Sequence, residues 1–222
     1  MSLWSRVAEL LFPRKCVLCG CLLEKQETDL CRTCRAEGPM CSDKGGKLPF
    51  LDGWTAVWYY EGAVRRSLLR YKFHGARSYA DCYGRMLAMK TQQNWPEGVD
   101  VLTWVPVSTL RKLRRGYDQV ELLAEAVGSE LGLTPVRVLK KIRHNKPQSG
   151  IVGQAQRKAN VLGVYRVTAP ELIRGKRILL LDDIVTTGAT VGECARVLLT
   201  AGASEVYCGA VAAVRHRGKT NK

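Results

Sequence analysis

A chain of 222 residues with 46% hydrophobic composition can bury one good core and carry a short accessory module. No apolar run reaches the roughly 18–20 residues of a membrane span, and Arg6 and Glu9 break the apolar N-terminal stretch, so stable membrane insertion and export are not expected. The formal net charge of +15, concentrated after residue 100, excludes an acidic surface and leaves an anionic partner, a phosphorylated ligand or a solvated basic face.

Leu3, Val7, Leu10 and Leu11, followed by Pro13, predict a short amphipathic helix over 2–12. Residues 14–50 are rich in Cys, Gly and turn residues without a sustained apolar period, which suits a small metal-stapled module. From Trp54 onward the elements alternate: a strand over 54–60, helices over 63–73 and 79–93, a strand over 101–107. Asp118 with Glu121 three residues on predicts a capped helix running to Leu131 and closed by Gly132. VRVLKKI, VYRV and RILLLD read as strands, 190–201 as a helix ended by Gly202, and EVYCGAVAAV as a last strand. This alternation implies crossover connections, hence an α/β domain over 51–222 with a mainly parallel sheet flanked by helices, behind a module over 1–50.

Six of the nine cysteines fall within the first 41 residues, so they form a local device. With no export signal, the reducing cytosol favours metal ligands or buried thiols over disulfides. Cys16-x2-Cys19 and Cys31-x2-Cys34 are paired turns able to aim four thiolates at one tetrahedral ion, and zinc in such a closed set is structural. An iron–sulfur cluster would use the same ligand count, and a redox dithiol would need a single pair beside a βαβ unit. Cys21 and Cys41 are surplus; either could replace a neighbour, but the symmetric pairs leave both as ordinary thiols. Cys82, Cys194 and Cys208 read as buried small hydrophobes.

ILLLDDIVTTGAT, residues 178–190, carries the chemistry. In an open parallel sheet, ligands gather beyond the carboxyl ends of strands, where a loop enters a helix N-terminus with unpaired amides. Thr186, Thr187, Gly188, Ala189 and Thr190 form such a loop, with hydroxyls, a glycine for close approach and a helix dipole for an anion. Asp182 and Asp183 would repel a phosphate, so they serve vicinal hydroxyls or a magnesium ion. A sugar phosphate meets both demands. Paired acids also end the first strand of receiver domains, and an aspartate can simply cap a helix, but neither explains the threonine loop.

These residues resemble the fingerprint of type I phosphoribosyltransferases, whose acids hold the ribose hydroxyls of phosphoribosyl pyrophosphate and whose loop holds its 5′-phosphate. With the cysteine-rich N-terminus, YKFHG (71–75), VPVSTLRKLRRGYDQVELLA (105–124) and the segment containing Gln148, Arg157 and Asn160, nearly the whole chain is similar to the ComF family of late-competence proteins. The resemblance implies Lys72 near the pyrophosphate, Arg115 and Gly116 at the start of an RGFNQ-like element, and a mobile loop over 146–160. Tyr117 and Asp118 stand where the family usually has Phe and Asn, and a further cysteine pair is reduced to Cys41, which argues for one zinc.

Arg65, Arg66, Arg70, Arg111, Lys112, Arg114, Lys140, Lys141 and Arg143 exceed what one small ligand can use. A single-stranded nucleic acid could use them, with Tyr71, Phe73, Tyr79 or Tyr117 for base stacking. The resulting expectation is a cytoplasmic competence protein that handles incoming single-stranded DNA and binds phosphoribosyl pyrophosphate with Mg2+, carries structural Zn2+, and, by the resemblance, partners the competence helicase ComFA. The alternative is an active phosphoribosyltransferase acting on an unidentified nitrogen acceptor; no stretch names that acceptor, and fold alone does not license the reaction.

Overall fold

The structure, a computed structural model, describes residues 13–41, 47–73, 75–108, 112–113, 116–143 and 161–215. The expected helix over 2–12, the loop over 146–160, and Arg111, Arg114 and Arg115 lie outside the described residues.

Four strands form one parallel sheet: β1 (Gly53–Tyr59), β2 (Val101–Trp104), β5 (Arg177–Val185) and β6 (Glu205–Ala213), in the order β1-β6-β5-β2. Crossovers run through helices α2 (Gly62–Phe73), α3 (Tyr79–Asn94), α4 (Gln119–Leu131) and α5 (Ala189–Thr200); a short helix α1 (Arg32–Glu37) belongs to the cysteine region. β5 pairs in parallel with β2 and with β6 and needs apolar side chains on both faces. Ile178, Leu179, Leu180 and Leu181 supply them, all fully buried. Leu179 and Leu181 join a core with α2, α3 and α4, while Ile178 and Leu180 join a second core with α5.

The predicted limits of α4 are realised by Asp118, whose side chain accepts the amides of Val120 and Glu121, and by Gly132 in the left-handed region at φ 69°. Glu121 does not complete a capping box; its carboxylate takes Lys112 and Arg137 instead. Two expected strands are shorter than their apolar patterns. The one predicted over 101–107 stops at Trp104, and within VRVLKKI only β3 (Leu139–Lys141) is extended, pairing antiparallel with β4 (Tyr165–Val167) in a separate small sheet. Val136 and Val138 are partly or fully buried without being strand, because packing against the second core, not sheet pairing, accounts for their apolar character.

The cysteine region shares the first core. Cys16, Val17, Leu18, Leu30 and Cys31 pack with Trp58, Leu68, Tyr71 and Tyr83. From α2, Ser67 Oγ donates to the Val17 carbonyl, and the Arg70 guanidinium donates to the carbonyls of Val17 (3.0 Å) and Leu18 (2.7 Å). Arg85 on α3 grips Asp29 through both carboxylate oxygens.

Candidate ligand and metal sites

β5 delivers its two acids to different surroundings. Asp183 is buried at 6% exposure, its Oδ1 receiving Lys72 Nζ from the last turn of α2 at 2.8 Å and its Oδ2 receiving Gln119 Nε2 from the first turn of α4 at 2.9 Å. Three elements far apart in sequence thus converge on one carboxylate. Asp182 accepts the backbone N–H of Asp183 at 2.8 Å. Burial, with the Asp183 charge second, pushes the Asp182 carboxyl up to about 8.

The turn after β5 has the expected form. Gly188, the N-cap of α5, adopts φ 74° and has no side chain of its own to cap the first amides of that helix, a place suited to an anion. Asp182, Thr186, Gly188, Ala189 and Thr190 line one small polar cavity of about 20 Å3, room for a single water or one phosphate oxygen. Thr187 instead lines a neighbouring cavity of about 220 Å3 with Phe50, Leu162, Glu193 and Arg196, and its buried hydroxyl has no partner among the described residues. Leu48 packs against the turn: a Cβ on Gly188 would lie 2.5 Å from Leu48 Cδ2.

Gln119 is the site residue that sequence reasoning passed over. It is buried, it touches Asp183, and its Oε1 has no hydrogen-bond partner among the described residues. An orphaned acceptor beside a carboxylate suits a hydroxyl-bearing ligand or a bound water. The available signal was its position directly after the helix cap, where a polar side chain faces the sheet edge. Asp118 is engaged as that cap, so its carboxylate does not have to contact a ligand to be explained.

In the cysteine region, the sulfurs of Cys16, Cys19, Cys21 and Cys31 all lie within 4.8 Å of one another. Cys21, expected as an ordinary thiol, is therefore part of the cluster. Cys19 Sγ and Cys31 Sγ are 3.7 Å apart, close to the edge of about 3.8 Å that a tetrahedron with Zn–S near 2.3 Å requires. Cys34, expected as the fourth ligand, sits in the first turn of α1 with its N–H donating to Cys31 Sγ, and its sulfur is not in the group of four. The donor set fits a single four-coordinate ion such as zinc. Cys41 is a buried thiol away from this cluster, with its N–H bonded to the Val57 carbonyl.

The basic residues divide. Arg65 and Arg66 are exposed on α2, and Lys140 and Arg143 are exposed on and after β3. Arg70 is committed to the cysteine region, Lys112 pairs with Glu121 at 3.0 Å, and Lys141 lies over the Tyr165 ring. Two of the aromatic residues expected to stack on bases are core: Tyr71 is fully buried and donates to the Gln119 carbonyl, and buried Tyr117 donates to the Tyr71 carbonyl. Tyr71 follows Val64 and Leu68 on the buried face of α2, which removes it from any surface role. Phe73 is exposed.

Residues 119–222 match the Phosphoribosyl transferase domain. The chain is 24% identical over 221 residues to Competence protein F of Haemophilus influenzae, a match covering 88% of this chain and 95% of that protein. It is 32% identical over 154 residues to Competence protein ComFC of Streptococcus pneumoniae, covering 68% of this chain and 64% of that one. Against the DNA utilization protein YhgH of Escherichia coli the match is 31% identical over 112 residues and spans about half of each chain, 49% and 48%. Among solved structures, the Bacillus subtilis glutamine phosphoribosylpyrophosphate amidotransferase overlaps 64% of this chain and 30% of its own at 22% identity, with a TM-score of 0.44.

The parallel sheet, its helices and the matched domain define a type I phosphoribosyltransferase fold. The relatives named as competence proteins, together with the matched domain, support the ComF family for this chain. No helix among the described residues is long and apolar enough to cross a membrane.

Proposed function

We propose that the protein handles incoming single-stranded DNA in the cytoplasm during natural transformation, and that its phosphoribosyltransferase-type site binds phosphoribosyl pyrophosphate with Mg2+. The observation that carries the ligand half is the end of β5: a carboxylate gripped by Lys72 and Gln119, one residue from a second acid that lines the cavity at the entry to α5. In this reading the amides after Gly188, with Thr186 and Thr190, take the 5′-phosphate, and Asp182 and Asp183 take the ribose hydroxyls. Lys72 holds Asp183 oriented and stands ready for the pyrophosphate. Magnesium, when bound with the ligand, would neutralise phosphate charge. The orphaned Gln119 Oε1 accepts a ligand hydroxyl.

The DNA half rests on the relatives named as competence proteins and on the exposed cations Arg65, Arg66, Lys140 and Arg143. Such side chains contact phosphates without reading sequence. Zinc held by the N-terminal cysteines would keep that region folded against α2 and α3, where a partner such as a competence helicase could dock.

Calorimetry with phosphoribosyl pyrophosphate and Mg2+ on the parent and on Asp183→Asn tests the site, with at least a tenfold loss of affinity expected; equal affinity in both refutes the ribose contact. Incubation with a panel of nucleobases distinguishes a binding protein from a transferase, because base-dependent pyrophosphate release would establish the second.

A further inference from the structure

Five thiols surround a place where zinc takes four. Cys16, Cys19 and Cys31 are common to two possible sets: their sulfurs form one compact group with Cys21, and the paired CxxC spacing joins the same three to Cys34, whose N–H donates to Cys31 Sγ. The Cys21 sulfur lies within 4.8 Å of each of the other three. The fourth thiolate is Cys21 in one set and Cys34 in the other.

The backbone explains why Cys21 is there. Gly20 adopts φ 83°, so the chain doubles back immediately after Cys19. The Cys16 N–H then reaches the Cys21 carbonyl at 2.8 Å, the Gly20 N–H reaches the Cys16 carbonyl at 2.8 Å, and Lys15 bridges Leu22. This closed turn fixes the Cys21 Cα beside the cluster. Cys34 is fixed independently, by the first turn of α1. Cys21 is exposed, so its thiol can approach or leave without disturbing the core.

We propose that Cys21 is an alternative fourth metal ligand: Cys16, Cys19 and Cys31 hold the ion throughout, and Cys21 and Cys34 exchange in the remaining position. The exchange is a substitution at the metal, one thiolate entering as the other leaves with a proton, and needs no oxidant. It gives the site a built-in entering ligand, which permits metal transfer without passage through a three-coordinate ion. The inference rests on the metal reading above.

The test uses the full chain loaded with cobalt(II), whose thiolate charge-transfer absorption scales with the number of bound sulfurs. Cys21→Ser, Cys34→Ser and Cys34→Ala are each expected to bind one equivalent with the full four-thiolate intensity of the parent. The double variant Cys21→Ser/Cys34→Ala is expected to lose about a quarter of that intensity and at least tenfold in affinity, measured against a chelator. Cys34→Ala with a three-thiolate spectrum while Cys21 is present would overturn the inference and leave the metal reading intact. So would Cys21→Ser losing a quarter of the intensity while Cys34 is present. A parent chain that takes up no cobalt or zinc overturns both.

Discussion

Lys72 and Asp183 lie 111 residues apart in the chain and meet at 2.8 Å, the ammonium 17% exposed and the carboxylate 8%. The pair joins the last turn of α2 to the catalytic-type end of β5. Removing one partner strands a mostly buried charge, which costs about 2–3 kcal/mol at this partial exposure. Lys72→Met is therefore expected to lower stability by that amount in urea titrations, and Asp183→Asn added to it to restore most of the loss. A double variant less stable than either single would reject the ion pair as the source.

Asp182 gives the protein a signed pH dependence. Its carboxyl is raised from 3.8 to about 8 in the folded chain, so the folded state binds the proton more tightly than the unfolded state. Its stabilising contribution is complete below about 4 and declines as pH rises to about 8. Asp182→Asn should flatten the decline between these limits; an unchanged slope of unfolding free energy against pH would reject the assignment.

Gly188 is restricted twice, by φ 74° and by Leu48. Gly188→Ala should cost about 1–3 kcal/mol through backbone strain and overlap. Adding Leu48→Ala should recover only the overlap, leaving the strain, which thermal melts of the three chains resolve.

The cations of α2 should separate by role. Replacing exposed Arg65 or Arg66 with Ala should leave the melting temperature unchanged and reduce the slope of log affinity for single-stranded DNA against log salt by about 0.7 each. Arg70→Ala should instead destabilise the chain, since its guanidinium holds two carbonyls of the cysteine region. Salt-independent binding in the parent would reject phosphate contact altogether.

Local pattern carried much of the fold. The apolar run of β5 announced a strand buried on both faces, and Asp118 with Gly132 bounded α4 because capping chemistry is local. The threonine turn was legible for the same reason. What stayed hidden depends on packing between distant segments: that Gln119 would face Asp183, that Lys72 would pair with it, and that Thr187 would line a different cavity from Thr186 and Thr190. Tyr71 was misjudged by residue type alone, although Val64, Leu68 and Tyr71 trace one helical stripe. Cys21 was discounted because spacing favours symmetric pairs, and only the reversal at Gly20 brings it back to the cluster.

Within three residues of one helix, Arg70 grips the peptide between two cysteines and Lys72 grips the acid of β5. α2 is thus a rigid strut between the two chemistries of the molecule, too short to flex and anchored at both loads. Stripping the ion should slacken one anchor and be felt at the other, so chelator-treated protein is expected to grip a sugar phosphate less firmly.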